Sequence, residues 1–225
     1  MSGENRKWVI ILIGPPGSGK RTQAELLAEK FGLFHLESSR IIEEKLKRAD
    51  PDDWIIQKEK HLLESGQLNT PEVVLKWVRE KIQELTDVGA GIVFSGSLRT
   101  IHEAEGEISL LEELYSKTNI KIFNLELSEE ESVSRNSKRR ICLGKRHPIP
   151  NFPEFEGITK CPKDGSEIVM RALDNPEVVR IRYKEYLHRT LPLIDILKYK
   201  GYRITKINGA QEIEKVQSDI LKYLD

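Results

Sequence analysis

The sequence predicts an α/β protein with a doubly wound, five-stranded parallel sheet covered by helices on both faces, giving three layers. Three observations lead to this fold class. An apolar, largely β-branched run at Val9–Ile13 has the composition of a strand that is buried on both faces. A glycine-rich turn follows this run directly and opens a segment of helical periodicity. Further along, apolar runs of strand length alternate with helical patterns.

Residues with specific backbone preferences mark the predicted elements. Gly32 can take the left-handed conformation that ends the first helix. Thr70 followed by Pro71 is a typical helix start, and Ser128 with Glu131 forms a capping box. The predicted strands cover 9–13, 33–36, 91–94, 120–127 and 202–207. The predicted helices cover about 22–31, 40–48, 52–66, 70–85, 101–115, 128–140, 175–201 with a bend at Pro192, and 211–224.

Composition narrows the functional classes. The 225-residue chain can form one sizeable core, and its 36 basic and 36 acidic residues cancel, so no overall charge attracts nucleic acid or a membrane. No apolar run approaches the ~20 residues that span a bilayer, and the first residues are polar, so neither an anchor nor a signal peptide is expected. Two cysteines do not make a disulfide framework. A cytoplasmic location is therefore expected.

Residues 14–22, Gly-Pro-Pro-Gly-Ser-Gly-Lys-Arg-Thr, have the composition of a phosphate-binding loop, here called the phosphate loop. Gly17, Ser18 and Gly19 allow the backbone to wrap around a polyphosphate, with its N–H groups pointing inward at a helix N-terminus. Lys20 can reach the transferred phosphate, and the Thr22 hydroxyl is a candidate Mg²⁺ ligand. Arg21 separates the lysine from the threonine, where it either adds positive charge beside the phosphates or points to solvent.

The loop resembles that of adenylate kinases and related nucleoside monophosphate kinases, where the residue between Lys and Thr is normally Gly. The likeness extends over nearly the whole chain. Its further motifs are Arg99-Thr100 after the third strand, Arg135-x-x-x-Arg139-Arg140 before the cysteine-containing segment, Arg171 and Asp174-Asn175-Pro176-Glu177-x-Val179-Arg180-x-Arg182 after it, and then Tyr186 and Pro192-Leu193-Ile194. The resemblance implies a core at 1–37, 68–140 and 171–225, a monophosphate-binding helical insertion at 38–67, and a lid at 141–170 over the ATP site.

The resemblance also implies the reaction and its residues. Mg-ATP and AMP would give two ADP, on a protein that is a monomer in this family. Arginines suit this chemistry because guanidiniums neutralise several phosphates and offer paired donors. Arg135 and Arg139 would face ATP, Arg99 would hold the monophosphate, and Arg171 and Arg182 would bridge both substrates. The implied catalytic residues are Lys20, Arg99, Arg139, Arg171 and Arg182.

The monophosphate side departs from the family pattern. Ser38 can replace the usual threonine, but the usual phosphate-binding arginine is Glu43, which leaves Arg40, one turn earlier, to supply the charge. Asp-Gly-Phe-Pro before the conserved arginine has become Ser-Gly-Ser-Leu at 95–98, retaining Gly96 but losing a carboxylate. Glu103 stands where a glutamine normally contacts adenine. It can accept from an amino group but cannot donate to a ring nitrogen.

Three functions remain open: an adenylate kinase with an altered AMP site, a kinase for another monophosphate such as CMP, UMP or GMP, or a nucleotide-binding regulator with little turnover. The retained phosphate loop and arginines favour catalysis over binding alone, and the first function is expected.

The lid segment raises the question of a metal. One branch of the family binds a structural zinc there through pairs of cysteines, the last of which can be aspartate. Cys142, Cys161 and Asp164 match three of those positions, but the fourth is Lys145, which cannot bind zinc. His147 is a substitute that breaks the usual spacing. A zinc-binding lid and a metal-free lid both remain open, and the incomplete set of ligands favours the second.

Overall fold

The computed structural model describes residues 7–50, 52–144, 147–149, 155–170 and 174–224. The central strands are β1 (Val9–Ile13), β2 (Phe34–Leu36), β3 (Ile92–Ser95), β4 (Ile120–Glu126) and β8 (Ile204–Asn208). They form one sheet in the order β2-β3-β1-β4-β8, and every pairing is parallel. The predicted fold class is therefore confirmed.

Helices cover both faces of the sheet. They are α1 (Lys20–Phe31), α2 (Ser38–Arg48), α3 (Trp54–Ser65), α4 (Pro71–Asp87), α5 (Ile101–Tyr115), α6 (Glu129–Ser137), α7 (Pro176–Glu185), α8 (Leu193–Tyr199) and α9 (Ile213–Leu221). None of the helices in the described part of the chain has both the length and the apolar character that crossing a lipid bilayer requires.

The alternation of side chains along β1 produces the three layers. Val9, Ile11 and Ile13 point to one face, where they pack with residues of α4, α5 and α8. Ile10 and Leu12 point to the other face, where they pack with α1 and α9. All five side chains are at most 2 % exposed, as a strand sandwiched between helices requires. Burying one such side chain contributes about 1.5–3 kcal/mol, so this strand anchors the loop that follows it.

The phosphate loop lies where strand order reverses. β1 pairs with β3 on one side and β4 on the other, so the crossovers leave its carboxyl end in opposite directions. That divergence opens a crevice above β1, and the phosphate loop spans it before α1 begins at Lys20. Gly19 caps the helix in a left-handed conformation, with φ of 88°.

A second, small sheet lies in the segment predicted as the lid. Its strands are β5 (Arg140–Cys142), β6 (Pro148–Ile149) and β7 (Ile168–Met170), antiparallel and in the order β6-β5-β7. A cluster of Cys142, Ile149 and Cys161 packs beneath it. The cluster is small, so apolar burial alone stabilises this segment much less than the core.

The predicted helix over 175–201 is interrupted earlier than expected. α7 ends at Glu185, a π-helical turn covers Tyr186–Thr190, and α8 starts only after Pro192. Pro192 has no N–H, and its ring crowds the carbonyl four residues earlier, so the helix widens ahead of it. The Leu191 N–H accordingly donates to Tyr186 O at 2.8 Å, five residues back. The bend that was predicted at the proline is thus taken up over the preceding turn.

Candidate active site

A cleft of about 540 Å³ opens above the carboxyl edge of the sheet. The phosphate loop forms one wall, and the ends of β1 and β3 form the floor. Residues of α2 and the 66–69 segment face one end, while α6, the small sheet and α7 face the other. The predicted site residues that line it are Gly17, Gly19, Lys20, Arg21, Thr22, Gly96, Arg99, Arg135, Arg139 and Arg182.

The phosphate loop needs its glycines. Gly17 has a φ of 77°, and a Cβ there would lie 2.5 Å from Asn136 Nδ2 on α6. No side chain larger than hydrogen fits without displacing that amide. Ser18 is buried, and its hydroxyl oxygen lies 3.3 Å from Lys20 Nζ. The loop is thus held tightly between β1 and α6, with its backbone facing the cleft.

Lys20 folds back over the phosphate loop. Its Nζ donates to the carbonyls of Gly14 and Pro15, both at 2.7 Å. Burial lowers the pKa of Lys20 well below its usual value, and the positive charges of Arg99, Arg182 and Arg139 lower it further. Four cationic side chains from distant parts of the sequence therefore share one electrostatic environment, which suits a polyphosphate.

Two of these arginines share a buried anchor. Arg139 donates to Asp174 through Nε at 2.9 Å and through a second, short bond from Nη2. Arg182 Nη1 lies 3.7 Å from the same carboxylate, whose side chain is fully buried. Asp174 thereby fixes an arginine at the base of the lid relative to one on α7. Asp174 was not predicted as a site residue, although it lies in the motif at 174–182.

Arg99 is fixed from three directions. Its Nε donates to Gly96 O at 2.5 Å, its carbonyl accepts from the Thr190 hydroxyl at 2.9 Å, and its backbone N–H donates to Glu103 Oε2 at 3.0 Å. The Thr190 contact comes from the π-helical turn, so the irregularity before Pro192 reaches the site. Arg99 is thus preorganised on the floor of the cleft.

Arg135 and Arg21 both form ion pairs with nearby carboxylates of the protein. Arg135 donates to the carbonyls of Gly209 and Ala210 at 2.8 and 2.9 Å, and its Nε lies 2.6 Å from Glu131. Arg21 pairs with Glu25 at 2.9 Å and with Glu37 at 3.3 Å. Both arginines line the cleft, as predicted for residues facing ATP, while holding neighbouring elements together. Thr22 lies beside them on the cleft wall, where a Mg²⁺ ligand is expected.

Glu37 is paired with two arginines at the end of the cleft predicted to bind the monophosphate. It lines the cleft at the start of α2, and its Oε2 lies 3.3 Å from Arg21 and 3.2 Å from Arg40. Burial opposes its ionisation, but Arg21, His35 and Arg40 outweigh that effect and hold the pKa of Glu37 below its usual value. Sequence reasoning missed Glu37. Arg21 was noted as a departure from the family pattern, but the sequence did not reveal Glu37 as its partner.

Three of the predicted monophosphate contacts do not line the cleft. Ser38, Arg40 and Glu103 are not among the described residues that line the cleft. Ser38 Oγ lies 2.5 Å from Ser97 Oγ, and Arg40 faces Glu37. Glu103 turns inward, where both of its oxygens accept hydrogen bonds from its own helix start. The predicted role of Arg171 falls outside the described residues.

The small sheet brings together a set of metal-ligand atoms. One atom each from Cys142, His147, Cys161 and Asp164 all lie within 4.8 Å of one another. His147 Nδ1 is 3.6 Å from Cys142 Sγ, 3.4 Å from Cys161 Sγ and 3.3 Å from Asp164 Oδ2. Tetrahedral zinc with bonds of about 2.0–2.3 Å separates its ligand atoms by roughly 3.3–3.8 Å. The three distances from His147 fall in this range, so His147 is a candidate for the fourth ligand despite its unusual spacing.

Comparisons with known proteins agree with this architecture. The profile of the family described as "Adenylate kinase" matches residues 12–202. A protein named adenylate kinase from Methanothrix thermoacetophila is 36 % identical over 96 % of this chain and 97 % of its own length. Proteins of the same name from Caldicellulosiruptor bescii and Bacillus subtilis are 34 % and 33 % identical, again over 96 % of this chain, with 98 % and 97 % of their own lengths covered. This chain belongs to the adenylate kinase family.

Proposed function

We propose that this chain transfers the γ-phosphoryl group of Mg-ATP to AMP, giving two ADP. One observation supports this most strongly. Lys20, Arg99, Arg139 and Arg182 come from separate elements, yet their charges act on one another within one cleft beside the phosphate loop. Asp174 supplies one negative charge to Arg139 and Arg182. The phosphates of two nucleotides would supply further negative charge to this group of cations.

The chemistry follows from this arrangement. An oxygen of the AMP phosphate attacks the γ-phosphorus in line, and the bond from that phosphorus to the β–γ bridging oxygen breaks, leaving ADP on each side. The protein positions the reactants and neutralises the negative charge that moves. Lys20 and the phosphate-loop N–H groups hold the triphosphate. Arg99 holds the acceptor phosphate, with Arg139 and Arg182 between the two.

Mg²⁺ enters this reaction as part of the Mg-ATP substrate. The Thr22 hydroxyl lies on the cleft wall next to Lys20 and is the side chain we assign to it. The ion offsets negative charge on the β- and γ-phosphates. The family pattern has a carboxylate at position 95, whereas this chain has Ser95. The Ser95 hydroxyl forms a 2.6 Å hydrogen bond with His35 Nε2.

The proposal also assigns a role to each segment of the chain. Residues 1–37, 68–140 and 171–225 form the core, 38–67 the monophosphate-binding insertion, and 141–170 the lid. Ile141, Pro148 and Ile149 of the lid line the cleft. Closure of this segment over ATP would exclude water and limit hydrolysis. We further propose a cytoplasmic monomer, which light scattering on the purified protein tests.

We also propose that the lid holds a structural zinc ion on Cys142, His147, Cys161 and Asp164. The closeness of the four ligand atoms, with His147 Nδ1 at 3.3–3.6 Å from the other three, favours this over a metal-free lid. Elemental analysis should find one zinc per chain, lost in both Cys161→Ala and His147→Ala, with a melting temperature several degrees lower. The exposed His102 supplies a matched control, since His102→Ala should keep the metal. Protein without stoichiometric zinc would contradict this part of the proposal.

A panel of nucleoside monophosphates with Mg-ATP tests the function. Product formation should be fastest with AMP. Faster turnover of CMP, UMP or GMP would replace AMP with another acceptor. Measurable ATP binding without turnover of any acceptor would instead indicate a regulatory protein, which the family comparisons do not favour.

A further inference from the structure

Two buried carboxylates lie directly beneath the segment that carries Arg99. Glu103 and Glu107 are one turn apart on α5, so their side chains share a face of the helix. Glu103 is 2 % exposed and Glu107 is fully buried. Two carboxylates this close in an apolar interior do not both ionise at neutral pH, because each charge raises the cost of the other.

The hydrogen bonds show which one carries the negative charge. Glu103 Oε2 accepts from the Arg99 backbone N–H at 3.0 Å, and Oε1 accepts from the Thr100 hydroxyl at 3.1 Å. Glu103 also lies in the first turn of α5, where the helix dipole favours an anion. These contacts oppose the effect of burial, which still leaves the pKa of Glu103 above its usual value.

Glu107 is the protonated partner. Neither of its oxygens makes a hydrogen bond of normal geometry with a described residue. Burial raises the pKa of Glu107 well above its usual value, the charge of Glu103 adds to this, and the Leu98 N–H only partly offsets it. A proton on Glu107 therefore leaves Glu103 free to act as a full acceptor for the segment above.

That segment needs external support. Leu98 has a φ of 54°, in the left-handed region that non-glycine residues seldom adopt, and it is fully buried. Gly96 has a φ of 97°, and a Cβ there would lie 2.9 Å from Arg99 Nη2. The backbone thus takes two positive φ angles shortly before Arg99, one that suits glycine and one that is unfavourable for Leu98. The hydrogen bond that Glu103 accepts from the Arg99 N–H holds the backbone in place directly after these two residues.

We propose that Glu103 is a positioning residue: with protonated Glu107 beneath it, it holds the 96–100 segment so that Arg99 meets the acceptor phosphate, and it does not contact the base. This rests on the proposed kinase function. It replaces the expectation that Glu103 contacts adenine, a role in which its two oxygens would have to face the cleft.

Steady-state kinetics with Mg-ATP and AMP test the proposal. Glu103→Ala should raise the KM for AMP by about tenfold or more, the effect of losing hydrogen bonds to a charged acceptor. The KM for ATP and the rank order of monophosphates should stay the same. Glu103→Gln keeps one acceptor oxygen and should give an intermediate KM. Glu105→Gln, at an exposed position of the same helix, is the control and should match wild type.

Two results would overturn the proposal. An unchanged KM for AMP in folded Glu103→Ala, or in Glu103→Gln if the alanine variant does not fold, would show that Arg99 needs no such support. A changed rank order of monophosphates would show that Glu103 contacts the base. Failure of the wild-type protein to phosphorylate any monophosphate would refute the kinase function itself, a separate outcome.

Discussion

The two ends of the cleft, which we propose bind the triphosphate and the monophosphate, differ in how closely they keep the family pattern. At the triphosphate end the phosphate loop is intact, and Lys20 lies among guanidiniums that are anchored by buried groups. At the monophosphate end the expected arginine is absent, and Glu37 is paired with Arg21 and Arg40 instead. Backbone geometry constrains the first end, since any phosphate loop must wrap the same phosphates. Side-chain charges define the second end, and charges can be redistributed among neighbours.

Lys20→Ala, at the triphosphate end, should give the largest loss of phosphoryl transfer. Removing a cation aimed at the transferred phosphate costs about 10²–10³-fold in kcat. The fold should survive because, among the described residues, the Lys20 ammonium donates to groups of its own loop. Coupled measurement of ADP formation, with circular dichroism for the fold, checks this. Lys30→Ala, at an exposed position on the same helix, should behave as wild type; unchanged turnover in the Lys20 variant would refute its role.

Asp174→Asn tests whether the arginines depend on their shared anchor. The amide cannot accept from both Arg139 nitrogens, so Arg139 and Arg182 should both shift. Displacement of about 1 Å near the transferred group can cost on the order of 100-fold in rate. We expect a loss of about 10–100-fold in kcat and a lower melting temperature. Asp195→Asn, at a side chain that is 85 % exposed, is the control. Wild-type kcat in the Asp174 variant would mean that the arginines are held by other contacts.

Glu37→Gln tests whether the negative charge of Glu37 weakens phosphate binding at the monophosphate end. Neutralising a carboxylate on the cleft wall leaves Arg21 and Arg40 less compensated, so a phosphate should bind there more readily. The KM for AMP should fall about two- to fivefold, the size expected for a partly screened charge. Glu64→Gln, which changes an exposed carboxylate on α3, should leave the KM unchanged. A higher KM in the Glu37 variant would show that the carboxylate itself organises this end.

Glu107→Gln should give the smallest effect, a change in how the melting temperature depends on pH. The unfolded chain ionises Glu107 near pH 4.3, whereas the folded chain keeps it protonated to a much higher pH. The contribution of Glu107 to the free energy of unfolding is therefore fully present below about pH 4.3. It is lost as the pH rises through the pKa of the folded state. The charged groups around the pair are Glu103, Arg99 and His102.

The glutamine variant does not titrate, so its melting temperature should match wild type near pH 4 and exceed it by a few degrees near pH 8. Glu105→Gln is again the control, because an exposed carboxylate should show no such divergence. Parallel melting curves of wild type and Glu107→Gln across this range would contradict a protonated Glu107.

The sequence predicted most of the fold because the strands are short, apolar and separated by helices with clear boundary residues. Val9–Ile13, the phosphate loop and the arginines that line the cleft all followed from pattern and resemblance. Glu103 was assigned to adenine by resemblance, although Thr100 and Glu103 have the same capping-box spacing as Ser128 and Glu131, and its carboxylate turns toward its own helix start. His147 joins the cysteines only because β5 and β6 fold back on each other. The π-helical turn likewise depends on how the chain widens before Pro192.

The central claim is that this cleft joins a triphosphate end to an acceptor end for direct phosphoryl transfer. Phosphorus NMR of the purified protein with Mg-ATP and AMP tests it most directly. The account predicts that ATP and AMP disappear in equal amounts and that two ADP appear for each, with no inorganic phosphate. Release of inorganic phosphate without loss of AMP, or no change in either nucleotide, would contradict it.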